Sequence, residues 1–319
     1  MVSPLNIMVC SDGRPGHEKQ TLSVVAALKT LTPIRMETRR LIQTSGIRRV
    51  FQGLGSFLKP DKPAMDKNGS SIDLIIGAGS TTHLPMVAMK LRSDARLVIC
   101  MAPEPLLRPF FDLCLVPRHD NPPRRGNIFT TFGPPCLAAG RAAHDAKKGL
   151  ILAGGLDPKS HYWDTPTLLA QIRELSARQP AMTWTVSSSP RTPADAIAQL
   201  QDLAGKNSDF SFFNADDTPA GWIETAYREH GQVWVTADSV SMVYEALTAG
   251  CRVGILPVAW KHPGNKFQRG IDDLVEHALV VDFFQWQNGA SWPPMTAPLN
   301  EAERCALEIL QRWWPERLP

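Results

Sequence analysis

Residues 232–258 read Gln-Val-Trp-Val-Thr-Ala-Asp-Ser-Val-Ser-Met-Val-Tyr-Glu-Ala-Leu-Thr-Ala-Gly-Cys-Arg-Val-Gly-Ile-Leu-Pro-Val. Val233, Trp234 and Val235 form a short apolar run with strand preference. Thr236 to Ser239 interrupts it, and Asp238 or Ser239 supplies a helix N-cap. Val240, Val243, Ala246 and Leu247 then recur at helical spacing as an apolar face, while Ser241, Glu245 and Thr248 line another. Gly250 marks the helix end, and residues 252–258 return as a mostly apolar strand. The stretch is a βαβ unit with a polar stripe. In open α/β sheets, ligands gather beyond the carboxyl ends of the strands, where helix N-termini attract phosphate. Thr236, Asp238, Ser239 and Ser241 sit at that place, and Glu245 lies where it could hold a ribose diol. The other reading is that Asp238 only caps and Glu245 is only solvated.

The rest of the chain has room for two such domains. It has 319 residues, 43% hydrophobic and 20% charged, which supports a sizeable core and argues against gross disorder. The net charge of +3 does not suggest a nucleic-acid protein. Cys10, Cys100, Cys114, Cys136, Cys251 and Cys305 form no C-x-x-C pair, and several stand in apolar runs, as buried thiols of a reducing compartment do. The opening residues lack the pattern of a secretory signal. No run of about 20 apolar residues predicts a membrane span. The sequence therefore predicts a cytoplasmic protein.

The first half reads as one Rossmann-like domain. A strand over 6–10 leads into Ser11-Asp12-Gly13-Arg14-Pro15-Gly16-His17 and a helix to Leu31. Neither the G-x-G-x-x-G fingerprint nor a P-loop lysine is present, which argues against a standard dinucleotide site and a nucleoside-triphosphatase. Asp12 and His17 are candidate general bases, or turn and helix-start residues. Basic residues Arg39, Arg40, Arg48, Arg49 and Lys59 interleave with apolar ones over 39–59, which reads either as a helix with a solvated basic face or as a contact with an anionic membrane. A strand at 73–77 opens into Gly79, Ser80 and Thr81. Glu104 is a further candidate carboxylate, in the loop after a strand at 96–101. His119-Asp120 lacks a third ligand at suitable spacing, so no metal site is predicted. A linker over 133–148, with a helical piece, joins the halves.

The second half repeats the pattern. Strands are predicted at 149–153, 182–186 and 210–214, helices at 165–178, 193–203 and 221–228, then the βαβ unit. Gly154 and Gly155 follow the first strand; Ser188, Ser189, Arg191 and Thr192 follow the second and suit a diphosphate. Lys261, Lys266 and Arg269 add positive charge after residue 258. A last strand is predicted at 279–284 and a terminal helix at 300–313.

Residues 235–246 resemble the segment Val-Thr-x-Asp-Ser-Val-Ser-Met-x-x-Glu-Ala of the mitochondrial-fission ELM-like family, which is itself similar to the GT-B glycosyltransferases. Ser11, Asp12, Gly13, Gly16 and Gln20 are similar to that family's opening, Arg191-Thr192-Pro193 to its second-domain loop, and Lys266-Phe267 to a later stretch. The family's second arginine is Pro190 here, and Ala102-Pro103-Glu104 stands where the family more often shows Asp-Pro-Arg.

The resemblance implies an α/β fold of two Rossmann-like domains facing a cleft (GT-B type). Residues 1–137 would be the acceptor side and 149–298 the donor side, with 299–319 packing back on the first domain. It implies a metal-independent glycosyltransferase with a nucleotide sugar as donor substrate and no other cofactor; no D-x-D motif occurs. Asp12, His17 and Glu104 would be catalytic. Gly154, Gly155, Ser188, Ser189, Arg191, Thr192, Thr236, Asp238, Ser239, Ser241, Met242, Glu245 and Lys266 would hold the donor. Ser11, Gly13, Gly16, Gly79, Ser80 and Thr81 would receive a glycan or glycolipid acceptor of the bacterial envelope, on the inner face of the cytoplasmic membrane. Two alternatives stand beside it: a non-catalytic membrane-associated adaptor, and a sugar-nucleotide epimerase.

Overall fold

A computed structural model of the chain describes residues 3–41, 71–137, 143–294 and 298–318. Two compact units result, Met1–Leu137 with Asn300–Pro319, and Ala138–Leu299.

The first unit holds a six-stranded parallel sheet. Its strands are β1 (Leu5–Ser11), β2 (Ile34–Arg40), β3 (Leu74–Gly77), β4 (Arg96–Ile99), β5 (Leu113–Pro117) and β6 (Ile128–Thr131), in the order β2-β1-β3-β4-β5-β6. β1, β3 and β5 are apolar almost throughout because helices and loops cover both faces. β2 is the edge, and its exposed Arg35, Arg39 and Arg40 discourage pairing with another chain. The helix Pro15–Leu31 buries Val24, Val25 and Leu28 in one core, beside Ile7, Val9 and Leu74. The last helix, Glu301–Trp313, buries Cys305, Ala306, Ile309 and Leu310 in that same core. The helix His83–Lys90 supplies Met86, Val87 and Met89 to a second core on the other face.

The second unit repeats the plan with β7 (Asp145–Leu152), β9 (Thr183–Ser187), β10 (Phe210–Phe213), β11 (His230–Thr236), β12 (Arg252–Leu256) and β14 (Val281–Asp282), ordered β10-β9-β7-β11-β12-β14. β8 (His161–Tyr162) and β13 (Ala259–Trp260) pair separately as a short antiparallel ribbon. The helix Thr165–Arg178 begins where Asp164 accepts from Thr167 N at 3.2 Å, a cap worth about 1 kcal/mol. Its buried Leu168, Leu169, Ile172 and Leu175 follow helical spacing.

Two glycines in this sheet make room for tryptophans. Gly149 on β7 pairs with Trp184 on β9, and Gly254 on β12 pairs with Trp234 on β11. A Cβ on either glycine would run into the partner's indole.

Several boundaries differ from the sequence reading. β7 starts at Asp145, inside the predicted linker, and no helix occurs among the linker's described residues. The strand predicted at 279–284 is only Val281–Asp282, because Asp282 accepts from Phe284 N and starts the helix Phe283–Gln287. Residues 42–59 of the basic stretch lie outside the described residues. Among the described residues no helix is long and apolar enough to cross a membrane.

Candidate functional site

Strand order reverses once in each sheet, and ligands of open α/β sheets gather at such points. In the first unit the reversal lies between β1 and β3, in the second between β7 and β11. The predicted site residues collect at both.

In the first unit, Asp12 follows β1 and its side chain is 1% exposed. His17 Nδ1 lies 2.9 Å from Asp12 Oδ2. Arg14 N donates to Oδ1 at 3.1 Å and Thr81 Oγ1 to Oδ2 at 3.4 Å. Burial raises the Asp12 pKa, but the hydrogen bonds and charges of His17 and Arg14 outweigh it, and the carboxyl stays below its usual 3.8. An ionised carboxylate can only accept, which turns Nδ1–H toward Asp12 and leaves Nε2 as the ring's outward-facing nitrogen. With both oxygens engaged and almost no exposure, Asp12 is placed to orient the His17 ring. Gly79, at φ +100°, faces this pair; a Cβ there would collide with the Asp12 carboxylate and lie 2.7 Å from His17 Nδ1.

Ser11 is buried and its hydroxyl bonds to Glu18, while Gly13 N donates to Ser11 Oγ at 2.9 Å. Glu18 was not singled out by the sequence; the seven-residue spacing from Ser11 gave no motif. Gly16 and Ser80 are exposed beside the loop, and nothing lies within 4 Å of a Cβ built on Gly16. Glu104 is exposed in the loop after β4, and no hydrogen bond or ion pair joins it to Asp12 or His17. Its charge acts instead on His83, a buried histidine with neither ring nitrogen hydrogen-bonded.

In the second unit, Ser239 is the helix N-cap residue but makes no side-chain cap, and Asp238 caps nothing. Asp238 Oδ2 accepts from Gly155 N at 3.1 Å and from Arg191 Nη2 at 2.9 Å. Its side chain is 1% exposed, against 42% for Arg191. Arg191 Nη2 also reaches Ser239 Oγ at 3.2 Å, and Nη1 reaches Gly155 O at 3.3 Å.

The hydroxyls predicted to meet a diphosphate are spent on the protein. Ser189 Oγ donates to Gly154 O at 2.9 Å, and Thr192 Oγ1 donates to the same carbonyl. Ser188 Oγ donates to Asn214 Oδ1 at 3.0 Å. All three residues are buried. Thr236 Oγ1 accepts from Gly154 N at 2.7 Å, so the amides of Gly154 and Gly155 are both committed. Gly154 can pack there because a Cβ would strike Asp238 and Ser239, and one on Gly155 would strike the Arg191 backbone. These residues brace the loops. Ser241, on the first helical turn, and Lys266, at the start of the helix Lys266–Glu276, are exposed. Met242 and Glu245 are half-buried along the helix Val240–Thr248. Lys261 Nζ donates to Pro158 O at 2.7 Å and so ties the ribbon to the glycine loop.

One trio of metal-type groups occurs among the described residues, Asp273, Glu276 and His277, at the other end of the helix from Lys266. His277 Nδ1 is already 2.8 Å from Asp273 O.

Two parallel sheets, each with its own switch point and covering helices, define a two-unit α/β protein of the GT-B fold. A UDP-GlcNAc 2-epimerase of Methanocaldococcus jannaschii aligns over 97% of this chain and 100% of its own, at TM-score 0.52 and 12% identity. A candidate UDP-N-acetylglucosamine 2-epimerase of Listeria monocytogenes aligns over 97% and 95%, at 0.60 and 14%. A glycosyltransferase of Rickettsia africae aligns over 98% and 99%, at 0.51 and 10%. These likenesses are of fold. The family model described as Mitochondrial fission ELM1 matches residues 15–313, and the chain belongs to that family. Among curated proteins none matches.

Proposed function

We propose that the protein is a nucleotide-sugar-dependent glycosyltransferase, with an acceptor hydroxyl activated in the first unit and the donor held in the second. The observation that carries this is the His17–Asp12 pair, an imidazole oriented by a buried carboxylate at a switch point. In the reaction, the acceptor oxygen bonds to the anomeric carbon as the bond from that carbon to the diphosphate breaks. The hydroxyl proton passes to His17 Nε2, and the Asp12 carboxylate offsets the imidazolium charge. The diphosphate leaves with both electrons of the broken bond; Lys266, Ser241 and the helix start at Val240 stabilise its charge. Glu245 holds the ribose, and Arg191, clamped by Asp238, shapes the donor loop. No step in this scheme calls on a metal. The relatives include an S. aureus structure with UDP, at TM-score 0.52 and 12% identity, which makes uridine nucleotides the first to try.

One observation favours a second reading, the non-catalytic adaptor. Ser188, Ser189 and Thr192 spend their hydroxyls within the protein, as a scaffold would. A thermal-shift screen with UDP, GDP, CMP and their sugars separates the two. A ligand at about 100 times its Kd stabilises by about 2.7 kcal/mol. A shift with one nucleotide, reduced in Glu245→Ala, supports the transferase; no shift at millimolar concentration leaves the adaptor.

A further inference from the structure

The rim of the His17–Asp12 site carries two arginines that the mechanism above does not use. Arg14 lies in the loop between β1 and its helix, with its side chain 62% exposed. Its Nε is 3.9 Å from Asp12 Oδ2, an oxygen already 2.9 Å from His17 Nδ1. Arg40 ends β2, and Leu41 N donates to Ser11 O at 2.7 Å, which fixes the end of that strand beside the loop. The Arg40 guanidinium lies over Gly13: its Nε is 3.7 Å from a Cβ built there. Arg40 makes no ion pair with a described residue. Of the described acids on the adjoining loop and helix, Asp12 is shared by His17, backbone and Arg14, and Glu18 accepts from the Ser11 hydroxyl.

Exposed arginines are ordinarily solvated and carry no message. These two differ in position, since both border the loop that holds an oriented base. Guanidinium groups match phosphate and carboxylate oxygens in pairs. Gly13 and Gly16, exposed and without side chains, leave the approach open.

We infer that the molecule activated at His17 carries its own anionic group, a phosphate or a carboxylate near the reacting hydroxyl, and that Arg14 and Arg40 bind that group. The inference rests on the transferase reading for the word acceptor, but the anion site stands or falls by itself.

The test follows the His17 ring resonance by NMR at constant pH while inorganic phosphate, and separately acetate, is added to the full chain. In the wild type the resonance moves saturably with one or both ions; movement with phosphate alone identifies a phosphorylated acceptor, with acetate alone a carboxylated one. In the double variant R14Q/R40Q the apparent affinity falls about tenfold or more. A resonance that ignores both ions, or moves equally in wild type and variant, overturns the inference. Nucleotide binding measured on the same samples by thermal shift is unchanged in the variant. A chain that binds phosphate at His17 but no nucleotide would sink the transferase reading and leave the anion site intact.

Discussion

Arg191 and Asp238 are joined across two loops that are 47 residues apart in sequence, with Nη2 to Oδ2 at 2.9 Å. The pair places a carboxylate where the sequence alone suggested a phosphate. Asp238 is therefore a clamp on Gly155 and Arg191. Replacing it with alanine orphans the Gly155 N–H, which costs about 1–3 kcal/mol; Arg191 is exposed enough to return to water. Urea denaturation checks this. On the transferase reading Asp238→Ala also weakens nucleotide binding, because the loop that Arg191 shapes comes loose.

Gly79→Ala is expected to damage the first unit's site directly. The new methyl group meets Asp12 and His17, and φ +100° strains any residue but glycine. The expected loss is about 1–3 kcal/mol from the backbone alone. The His17 ring signal should shift as its contact with Asp12 lengthens; an unchanged signal would contradict the geometry.

Asp12→Asn tests the same pair through pH. The folded pKa of Asp12 lies below 3.8, so its ionised form stabilises the fold fully above that value. The contribution is lost as the pH falls through the lower folded value. Wild type should exceed the variant by about 1.5–3 kcal/mol at neutral pH. The gap should close in acid, as followed by Tm against pH.

His83 also loses stability toward acid, but here the substitution is expected to stabilise. Burial pushes its pKa below 6.5, with the Glu104 charge working the other way. The unfolded chain then takes up the proton first, and stability falls as the pH drops below 6.5. His144 and His230 are lowered for the same reason, burial. His83→Phe removes two unpaired buried nitrogens and should raise stability by about 1 kcal/mol. It should also flatten the pH slope by one histidine's share.

The tryptophan niches predict that Gly149→Ala and Gly254→Ala each cost about 1–3 kcal/mol or more by overpacking. The loss should appear without any change at His17, which lies in the other unit.

The fold was legible because its signals are local. The helix Thr165–Arg178 falls at the predicted bounds, and its buried Leu168, Leu169, Ile172 and Leu175 recur at helical spacing after the Asp164 cap. Gly77-Ala78-Gly79 and Gly154-Gly155 announced tight loops at strand ends. The GT-B architecture followed from the repeat of strand, loop and helix together with the family resemblance. Partnerships across the sheet were illegible. Arg191 meets Asp238 only because β9, β7 and β11 are neighbours, an order that no spacing reveals. The hydroxyls of Ser189 and Thr192 were read as ligand-facing since serine and threonine suit both phosphate and a backbone carbonyl. The ribbon of β8 and β13 is too short to carry a period. Asp282 was hidden by the apolar run around it, and so a cap was taken for part of a strand.

The helix Glu301–Trp313 belongs to the unit that the chain begins with. Cys305, Ala306, Ile309 and Leu310, all fully buried, close a core whose other members end at Leu115. On the ribosome this first unit must wait, its core uncovered, until the second unit has been made in full. The second unit has no such debt and can fold first, reversing the usual order of synthesis. Truncation just before Asn300 should then leave a folded second unit attached to an incomplete first one, the half of the molecule that a chaperone would hold.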